Sequence, residues 1–302
     1  MVFRQALGLF KMHKSVQRGT NAMDITTDDI EIYKHGDKPM IIRLIRPEGN
    51  GPHPVIVDLH GGGWGKGHPS ECTARGEVFA QNGIASAGLD FRQSADRYPS
   101  SLEDINYAVR WLKVHADELN LDADRVALNG QSSGGHLAML TAMRPADPRY
   151  TTLEVEGAGR DIDASVRCVG MMWPVINPLS RYRRVVRFLE AGDPPGWVGD
   201  LRERHHTYWV DEDTMEEGNP MLALERGEEL VILPSIWMQG QPDPVHDYRD
   251  PDSPLDLNEP ERFVANYRKA GGTMEIVHVE QANRSDPALL GPMVDFFKAN
   301  LA

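Results

Sequence analysis

The sequence predicts a single α/β domain over residues 1–302, built around a mostly parallel β-sheet. Short β-branched runs alternate with helical patterns, which is typical of parallel strands joined by crossover helices. With 40% hydrophobic and 25% charged residues, the chain can build one large core. The predicted strands are 40–45, 54–59, 84–89, 125–128, 166–172, 235–239 and 274–279, and the predicted helices are 101–118, 136–144, 260–270 and 287–301.

Two segments depart from this alternation. Residues 1–30 open with Phe3, Leu7 and Phe10 at helical spacing. We therefore expect a helical cap segment there, packed over the body of the domain. Residues 174–233 are rich in charged and aromatic side chains and show no strand pattern. We expect this interval to be a lid inserted over one edge of the sheet.

Composition and charge exclude several classes of partner. The net charge of −13 argues against nucleic acid, because phosphate binding needs a basic face. No apolar run reaches the ~20 residues that a membrane span requires. Two cysteines, Cys72 and Cys168, give no disulfide framework and suit a reducing compartment. We expect a cytoplasmic protein that acts on a small molecule and has neither a nucleic-acid partner nor a membrane span.

The strongest chemical signal is RVALNGQSSGGHLAML at residues 125–140. A predicted strand runs through the pattern G-x-S-x-G directly into a predicted helix, with Ser132 between Gly130 and Gly134. Such a turn is a nucleophile elbow, in which glycines on either side let the strand and the helix approach closely. The positive end of the helix dipole also favours an anion that develops beside the serine.

A second signal is VIVDLHGGGWGKG at residues 55–67. Three glycines follow a buried strand, so their backbone N–H groups are free of obstructing side chains. Together with the N–H group of Ser133 they can form an oxyanion hole. A phosphate-binding loop is the alternative, but neither GK[ST] nor G-x-G-x-x-G spacing follows.

Further motifs appear in a characteristic order. They are HGGGW at 60–64, DFR at 90–92, Tyr98-Pro99, Glu103-Asp104, Trp111-Leu112, LDADRVALNGQSSGGHLA at 121–138 and QGQPDPV at 239–245. With these motifs the chain resembles the α/β-hydrolase family, specifically the hormone-sensitive-lipase-like esterases and kynurenine formamidase. The resemblance implies an α/β-hydrolase fold with helices on both faces of the sheet. It also implies a serine hydrolase that forms an acyl-enzyme from small to medium, largely apolar carboxylic esters, without a cofactor or metal.

The resemblance also implies roles for individual residues. Ser132 is the expected nucleophile and Asp243 the expected acid of a catalytic triad. The expected oxyanion donors are the backbone N–H groups of Gly62, Gly63 and Ser133. Asp243 also follows the predicted strand 235–239, at the carboxyl end where open α/β sheets place their sites. Asp247 is the alternative carboxylate.

The histidine of the expected triad is missing from its usual place. In the family it follows the last strand, and the residue at that position here is Arg284, within IVHVEQANRSDP at 276–287. An arginine cannot accept the serine proton, because its guanidinium stays charged and has no lone pair. The alternative bases are His246, His278, His205 and His206. We expect His246 to lie in a solvated turn, His278 to pack on the sheet, and the lid pair to shape a pocket.

Arg284 is also consistent with an activity other than ester hydrolysis. The chain could be a lyase, isomerase, cyclase or ligand-binding protein on the same scaffold, with Arg284 holding an anionic group of its ligand. Arg284 could also be a natural or introduced change in an otherwise complete esterase. A homodimer is possible as well.

Several aromatic side chains are expected to bind substrate. An apolar cleft is predicted from Trp64, Trp173, Tyr208 and Trp209, with His205 and His206 contributed by the lid. The lid run RYRRVVRF places Arg181, Arg184 and Arg187 near one helical face. We expect a solvated face there, and a site for an acidic group of the substrate is the alternative.

Overall fold

A single eight-stranded sheet forms the centre of the computed structural model, which describes residues 23–159 and 162–302. The strands are β1 (Ile25–His35), β2 (Lys38–Pro47), β3 (His53–Leu59), β4 (Ala85–Leu89), β5 (Leu121–Gln131), β6 (Val169–Met172), β7 (Ser235–Gln241) and β8 (Met274–Glu280). Their order across the sheet is β1-β2-β4-β3-β5-β6-β7-β8. The pairs β1-β2 and β2-β4 are antiparallel, and the remaining pairs are parallel.

Helices cover both faces of this sheet. The helices of the described residues are α1 (Thr73–Gln81), α2 (Ser100–Val114), α3 (Ser133–Met143), α4 (Pro178–Glu190), α5 (Leu201–Trp209), α6 (Glu212–Glu217), α7 (Pro220–Arg226), α8 (Glu259–Lys269) and α9 (Gly291–Asn300). None of these helices combines the length and the apolar composition needed to cross a bilayer.

The alternation of side chains along β3 explains the two layers of helices. Val55 and Val57 join a core cluster that contains Ile105 of α2. Ile56, between them, belongs to a second cluster with Phe297 of α9. Because successive side chains of a strand point to opposite faces, a continuous apolar run must be covered on both sides.

All seven predicted strands are present, with ends that differ by a few residues. The edge strand β1 was not predicted, because its polar residues hide the apolar alternation. The helical segment predicted for residues 1–30 is wrong for residues 25–30, which lie in β1. Residues 1–22 of that prediction lie outside the described residues. The interval 174–233 contains α4 to α7 and no strand, as expected of an insertion between β6 and β7.

A buried ion pair ties together the carboxyl ends of β3 and β5. Arg75 of α1 donates from Nε to Oδ2 of Asp58 over 2.6 Å, and Asn129 of β5 donates to Oδ1 over 2.8 Å. Arg75 also donates to the carbonyl oxygen of Leu59 and to Oε1 of Gln131, both over 3.1 Å. The strands that lead into the glycine loop after β3 and into the turn at Ser132 are thereby fixed to each other.

Breaking this pair should destabilise the whole domain. Asp58→Asn leaves the Arg75 guanidinium buried without its counter-charge, and we expect the free energy of unfolding to fall by about 3–5 kcal/mol. Urea denaturation measures the change. Glu212→Gln, in the exposed pair with Arg183, is the control and should cost about 1 kcal/mol or less. Equal losses in the two variants would contradict this role of the buried pair.

Candidate active site

Ser132 lies in the sharp turn between β5 and α3. Its φ of 52° and ψ of −116° are uncommon for a residue with a side chain. Two backbone hydrogen bonds to residues at and just after the end of β6 hold this conformation. Ser132 N donates to the oxygen of Met172 over 2.9 Å, and Val175 N donates to the oxygen of Ser132 over 3.0 Å. A Cβ atom on Gly134 would lie 2.4 Å from the carbonyl oxygen of His60, so the helix can approach β3 only with glycine there. This is the geometry of a nucleophile elbow.

His246 and Asp243 form a hydrogen-bonded series with Ser132. The distance from Ser132 Oγ to His246 Nε2 is 3.1 Å, and from His246 Nδ1 to Asp243 Oδ2 it is 2.9 Å. A carboxylate only accepts hydrogen bonds, so Nδ1 carries the proton and Nε2 is free to accept one. The series runs from a hydroxyl through an unprotonated nitrogen to a buried carboxylate.

One turn of backbone after β7 brings Asp243 and His246 together. Asp247 N donates to the oxygen of Asp243 over 2.8 Å, which closes a helical turn. In such a turn, residues three apart in sequence share a face. The spacing in Asp-Pro-Val-His is therefore a signal in the sequence that could have identified His246 as the partner of Asp243.

Asp243 is 2% exposed and accepts hydrogen bonds from several directions. Beyond His246, the donors are Nε2 of Gln239 (3.2 Å), the backbone N–H of Val245 (3.1 Å) and Nη1 of Arg284 (3.0 Å). Burial opposes ionisation, but the hydrogen bond from His246 and the charge of Arg284 outweigh it and lower the pKa of the Asp243 carboxyl. The carboxylate is therefore ionised at neutral pH.

Arg284, at the position expected for histidine, contacts the acid of the site. Besides its ion pair with Asp243, its guanidinium lies over the ring of Trp173, 4.8 Å from the ring centre. Such cation–π contacts are favourable for arginine. Trp173, which was expected to bind substrate, is 1% exposed and supports Arg284 instead.

His246 is 7% exposed and uncharged near neutrality. Burial lowers the pKa of His246 to about 4. The hydrogen bond to Asp243 raises this pKa, whereas the positive charges of Arg181 and Arg284 lower it. The expectation that His246 lies in a solvated turn is wrong. That expectation rested on Asp247, whose carboxylate instead accepts a hydrogen bond from Nδ2 of Asn258 (2.5 Å).

The glycine loop after β3 lies against Ser132. A Cβ atom on Gly61 would be 3.4 Å from Cβ of Ser132. Gly62 has a φ of 112°, and a Cβ atom there would lie 1.8 Å from the oxygen of Lys66, so no other residue fits. The third predicted donor, the N–H of Ser133, belongs to the first residue of α3, where helix N–H groups have no partner within the helix. The loop of Gly62 and Gly63 and the start of α3 thus flank Ser132.

The aromatic residues expected to line a cleft pack against one another. Trp64, Tyr208 and Trp209 are at most 1% exposed. The ring centres of Trp64 and Trp209 are 5.3 Å apart in an edge-to-face arrangement, and Trp64 donates from Nε1 to His136 Nδ1 over 3.3 Å. These side chains form a core that joins α5 to the glycine loop. The prediction of a cleft failed because large aromatic rings suit a buried core as well as a cleft wall.

The other candidate histidines have different environments. His205 is buried against Trp64, with Nδ1 2.6 Å from the oxygen of Leu201. His206 is exposed and binds the hydroxyl of Tyr182 over 2.8 Å. His278 is exposed on β8 and not packed as expected. Within residues 23–159 and 162–302, His246 is the histidine that reaches Ser132 Oγ, and no cluster of three or more His, Cys, Asp or Glu side chains suits a metal ion.

Comparison with known proteins gives partial matches along the sequence. A family model described as BD-FAE matches residues 44–171. The chain is similar to the probable carboxylic ester hydrolase LipM of Mycobacterium tuberculosis, with 33% identity over 33% of this chain and 24% of that protein. It is also similar to the esterase LipC of the same organism, with 30% identity over 39% of this chain and 30% of that protein. The matches therefore span only a quarter to a third of these curated relatives.

Solved structures match over most of the chain. An esterase of Pyrobaculum calidifontis superposes with a TM-score of 0.67 at 22% identity, covering 90% of this chain and 84% of that one. The carboxylesterase EstE1, cloned from a metagenomic library, gives 0.66 at 19% identity, with coverages of 96% and 89%. The chain has the α/β-hydrolase fold. The predicted α/β-hydrolase fold is thereby confirmed, and in this chain an arginine follows the last strand of that fold.

Removing the Arg284 charge should make His246 easier to protonate. In Arg284→Gln a cation beside the imidazole is lost, which favours the imidazolium and raises the pKa of His246. An NMR titration of the His246 ring measures the shift. Arg167→Gln, an exposed position just before β6 at the far end of the sheet, is the control and should leave the midpoint unchanged. A midpoint that stays constant or falls in Arg284→Gln would refute this electrostatic role.

Proposed function

We propose that this α/β-hydrolase is a serine carboxylic-ester hydrolase in which His246 is the general base. The observation that carries the proposal is the series Ser132–His246–Asp243, with 3.1 Å and 2.9 Å between the bonded atoms. These are hydrogen-bond distances at which a base can take the proton of a nucleophile. Similarity to proteins named as esterases supports the same reaction.

The proposed reaction has two halves. Ser132 Oγ attacks the carbonyl carbon of the ester while Nε2 of His246 takes the hydroxyl proton. The negative oxygen of the tetrahedral intermediate is stabilised by the N–H groups of Gly62, Gly63 and Ser133. The imidazolium then gives its proton to the leaving alcohol, and an acyl-enzyme remains. Water, deprotonated by His246, then attacks the acyl carbon; the imidazolium returns the proton to Ser132 Oγ as the acyl–oxygen bond breaks, and the acid is released.

Arg284 is compatible with this mechanism because it acts on Asp243. Its ion pair keeps the carboxylate ionised and fixed in place, so that Asp243 can orient His246 and stabilise the imidazolium. The lyase, isomerase or ligand-binding alternatives required Arg284 to hold a ligand. Its guanidinium already contacts Asp243 and Trp173, so no specific observation favours those alternatives.

We also propose that residues 174–233 act as the lid of this site. The segment begins beside the nucleophile, since Val175 N donates to the oxygen of Ser132. Arg181 of α4 and His246 line one small cavity. Access for a substrate of moderate size would then depend on movement of α4.

A reducing compartment is the proposed location. Cys72 and Cys168 are both free thiols and both buried. Free buried cysteines without a disulfide are typical of proteins that work in the cytoplasm.

The choice of base is tested by substitution. His246→Ala removes the group that takes the serine proton, and we expect turnover of p-nitrophenyl butyrate to fall by roughly 10⁴-fold or more. His278→Ala, at an exposed position on β8, is the matched control and should retain activity. If His246→Ala keeps most of the activity, His246 is not the base.

Restoring histidine at the usual family position should bring no benefit. Arg284→His removes the ion pair with Asp243 and adds a second imidazole, while His246 already fills the role of base. We expect equal or lower turnover of p-nitrophenyl butyrate. A gain of roughly 10²-fold, about 2.7 kcal/mol of transition-state stabilisation, would mean instead that the site lacks its base.

The pH profile should reflect the low pKa of His246. The base must be unprotonated, and a pKa lowered to about 4 keeps it so in weakly acidic solution. We expect kcat/KM to stay nearly constant from about pH 8 to about pH 5 and to fall at lower pH. Circular dichroism at each pH checks that the fold persists. An acid limb centred near the ordinary histidine value of about 6.5 would contradict this.

A further inference from the structure

Arg181 is a buried cation that lacks an ionic partner among the described residues. Its side chain is 5% exposed, and within the described part of the chain neither Nε nor Nη1 has a hydrogen-bond partner. Burying an unpaired charge is costly for a folded protein. The expectation that this arginine belongs to a solvated helix face is wrong, because α4 turns it inward.

The unpartnered guanidinium lies beside the proposed base. Arg181 and His246 line the same cavity, together with Val175, Val245 and Tyr248. The cavity has a volume of about 10 Å³, enough for one water molecule. Burial lowers the pKa of Arg181 to about 10, which still leaves it positively charged at neutral pH.

Among the described residues, the acidic groups near this cavity form no salt bridge with Arg181. Glu259 lines the cavity; its Oε1 accepts a hydrogen bond from Arg262 Nη1 over 3.1 Å, and its Oε2 has no hydrogen-bond partner in the described part of the chain. Asp243 is paired with His246 and Arg284. Arg181 is therefore left with a cation–π contact to the ring of Trp197, 5.9 Å from the ring centre, and with no salt bridge among the described residues.

A second cation stands on the same helix. Arg184 lies over the ring of Tyr248, 4.1 Å from its centre, and donates from Nη1 to the oxygen of Pro244 over 2.6 Å. Its neighbouring groups are aromatic rings and a carbonyl, and these uncharged groups do not neutralise its positive charge. Arg181 and Arg184 of α4 thus favour an anion at this end of the site.

We propose that Arg181 binds a carboxylate group of the substrate. The preferred substrates are then esters that carry a free carboxylate near the scissile carbonyl, such as monoesters of short dicarboxylic acids. The planar guanidinium can hold a carboxylate through two parallel hydrogen bonds. The carboxylate enters this cavity, with α4 moving outward to enlarge it and to admit the rest of the acyl chain. This inference rests on the proposed esterase function for its reaction, but not for its binding site.

Binding is tested without catalysis, using succinate as the probe. Succinate should raise the melting temperature of the wild-type chain and leave that of Arg181→Met unchanged. Without ligand, Arg181→Met should melt at a higher temperature than wild type, because an apolar side chain replaces an unpaired charge. Arg183→Met, exposed on the same helix and paired with Glu212, is the control and should respond to succinate as wild type does.

Substrate preference is tested with two esters of similar size. The measured quantity is the ratio of kcat/KM for the p-nitrophenyl monoester of succinate to that for p-nitrophenyl butyrate. Arg181→Met should lower this ratio by roughly 10- to 100-fold, as expected for a lost hydrogen bond to a charged group. Arg181→Lys keeps the positive charge but cannot form the two parallel hydrogen bonds of a guanidinium, so it should give an intermediate ratio. Arg183→Met should give the wild-type ratio.

The outcomes separate the two proposals. If wild type hydrolyses the butyrate ester but Arg181→Met changes neither the ratio nor the succinate response, the carboxylate site is wrong. A lower melting temperature in both Arg181→Met and Arg181→Lys, with no succinate effect in wild type, would also overturn it, since Arg181 would then serve only the fold. If no ester is hydrolysed while succinate binds through Arg181, the esterase proposal fails and the anion site stands.

Discussion

The arrangement of the candidate site depends on one buried carboxylate, that of Asp243. It accepts hydrogen bonds from the loop after β7 through His246 and Val245, and from the loop after β8 through Arg284. His246 in turn reaches Ser132 at the end of β5. Segments that are distant in sequence therefore converge on one charge, and each of them would lose its orientation without it.

This arrangement separates two tasks that one histidine would perform at the usual position. In the proposed mechanism His246, within the turn that follows β7, is the proton acceptor. Arg284, from the loop after β8, supplies a permanent positive charge that keeps Asp243 ionised. The same charge works against protonation of His246, whose pKa is about 4. A base with such a low pKa is unprotonated near neutrality, but its affinity for a proton is weak. Stabilisation of the imidazolium by Asp243 therefore becomes more important.

Local sequence signals predicted much of the fold and half of the site. The elbow at Ser132 and the glycine loop at Gly62 depend on residue types within a few positions, and the parallel strands depend on continuous apolar runs. His246 could not be chosen in the same way. Its position depends on a turn whose burial comes from distant packing, and the neighbouring Asp247 made that turn look solvated.

For Trp64 and for the segment 174–233, the predicted environments of several side chains were wrong. Trp64, Tyr208 and Trp209 are aromatic residues of the kind that line an apolar cleft. In the structure they instead fill a core between α5 and the body of the domain. Arg181 is a charged residue of the kind expected on a solvated helix face. In the structure it is buried beside His246. In both cases the side chain's environment is set by how α4 and α5 pack on the sheet, which a single sequence does not reveal.

The most direct test of His246 as the base is the rate at which a fluorophosphonate labels Ser132, followed by mass spectrometry of the intact chain. Activation of Ser132 by His246 predicts rapid, stoichiometric labelling of the wild-type chain, none in Ser132→Ala, and labelling slowed by orders of magnitude in His246→Gln. Labelling that is equally fast in wild type and His246→Gln, or absent from well-folded wild type, would contradict this role of His246.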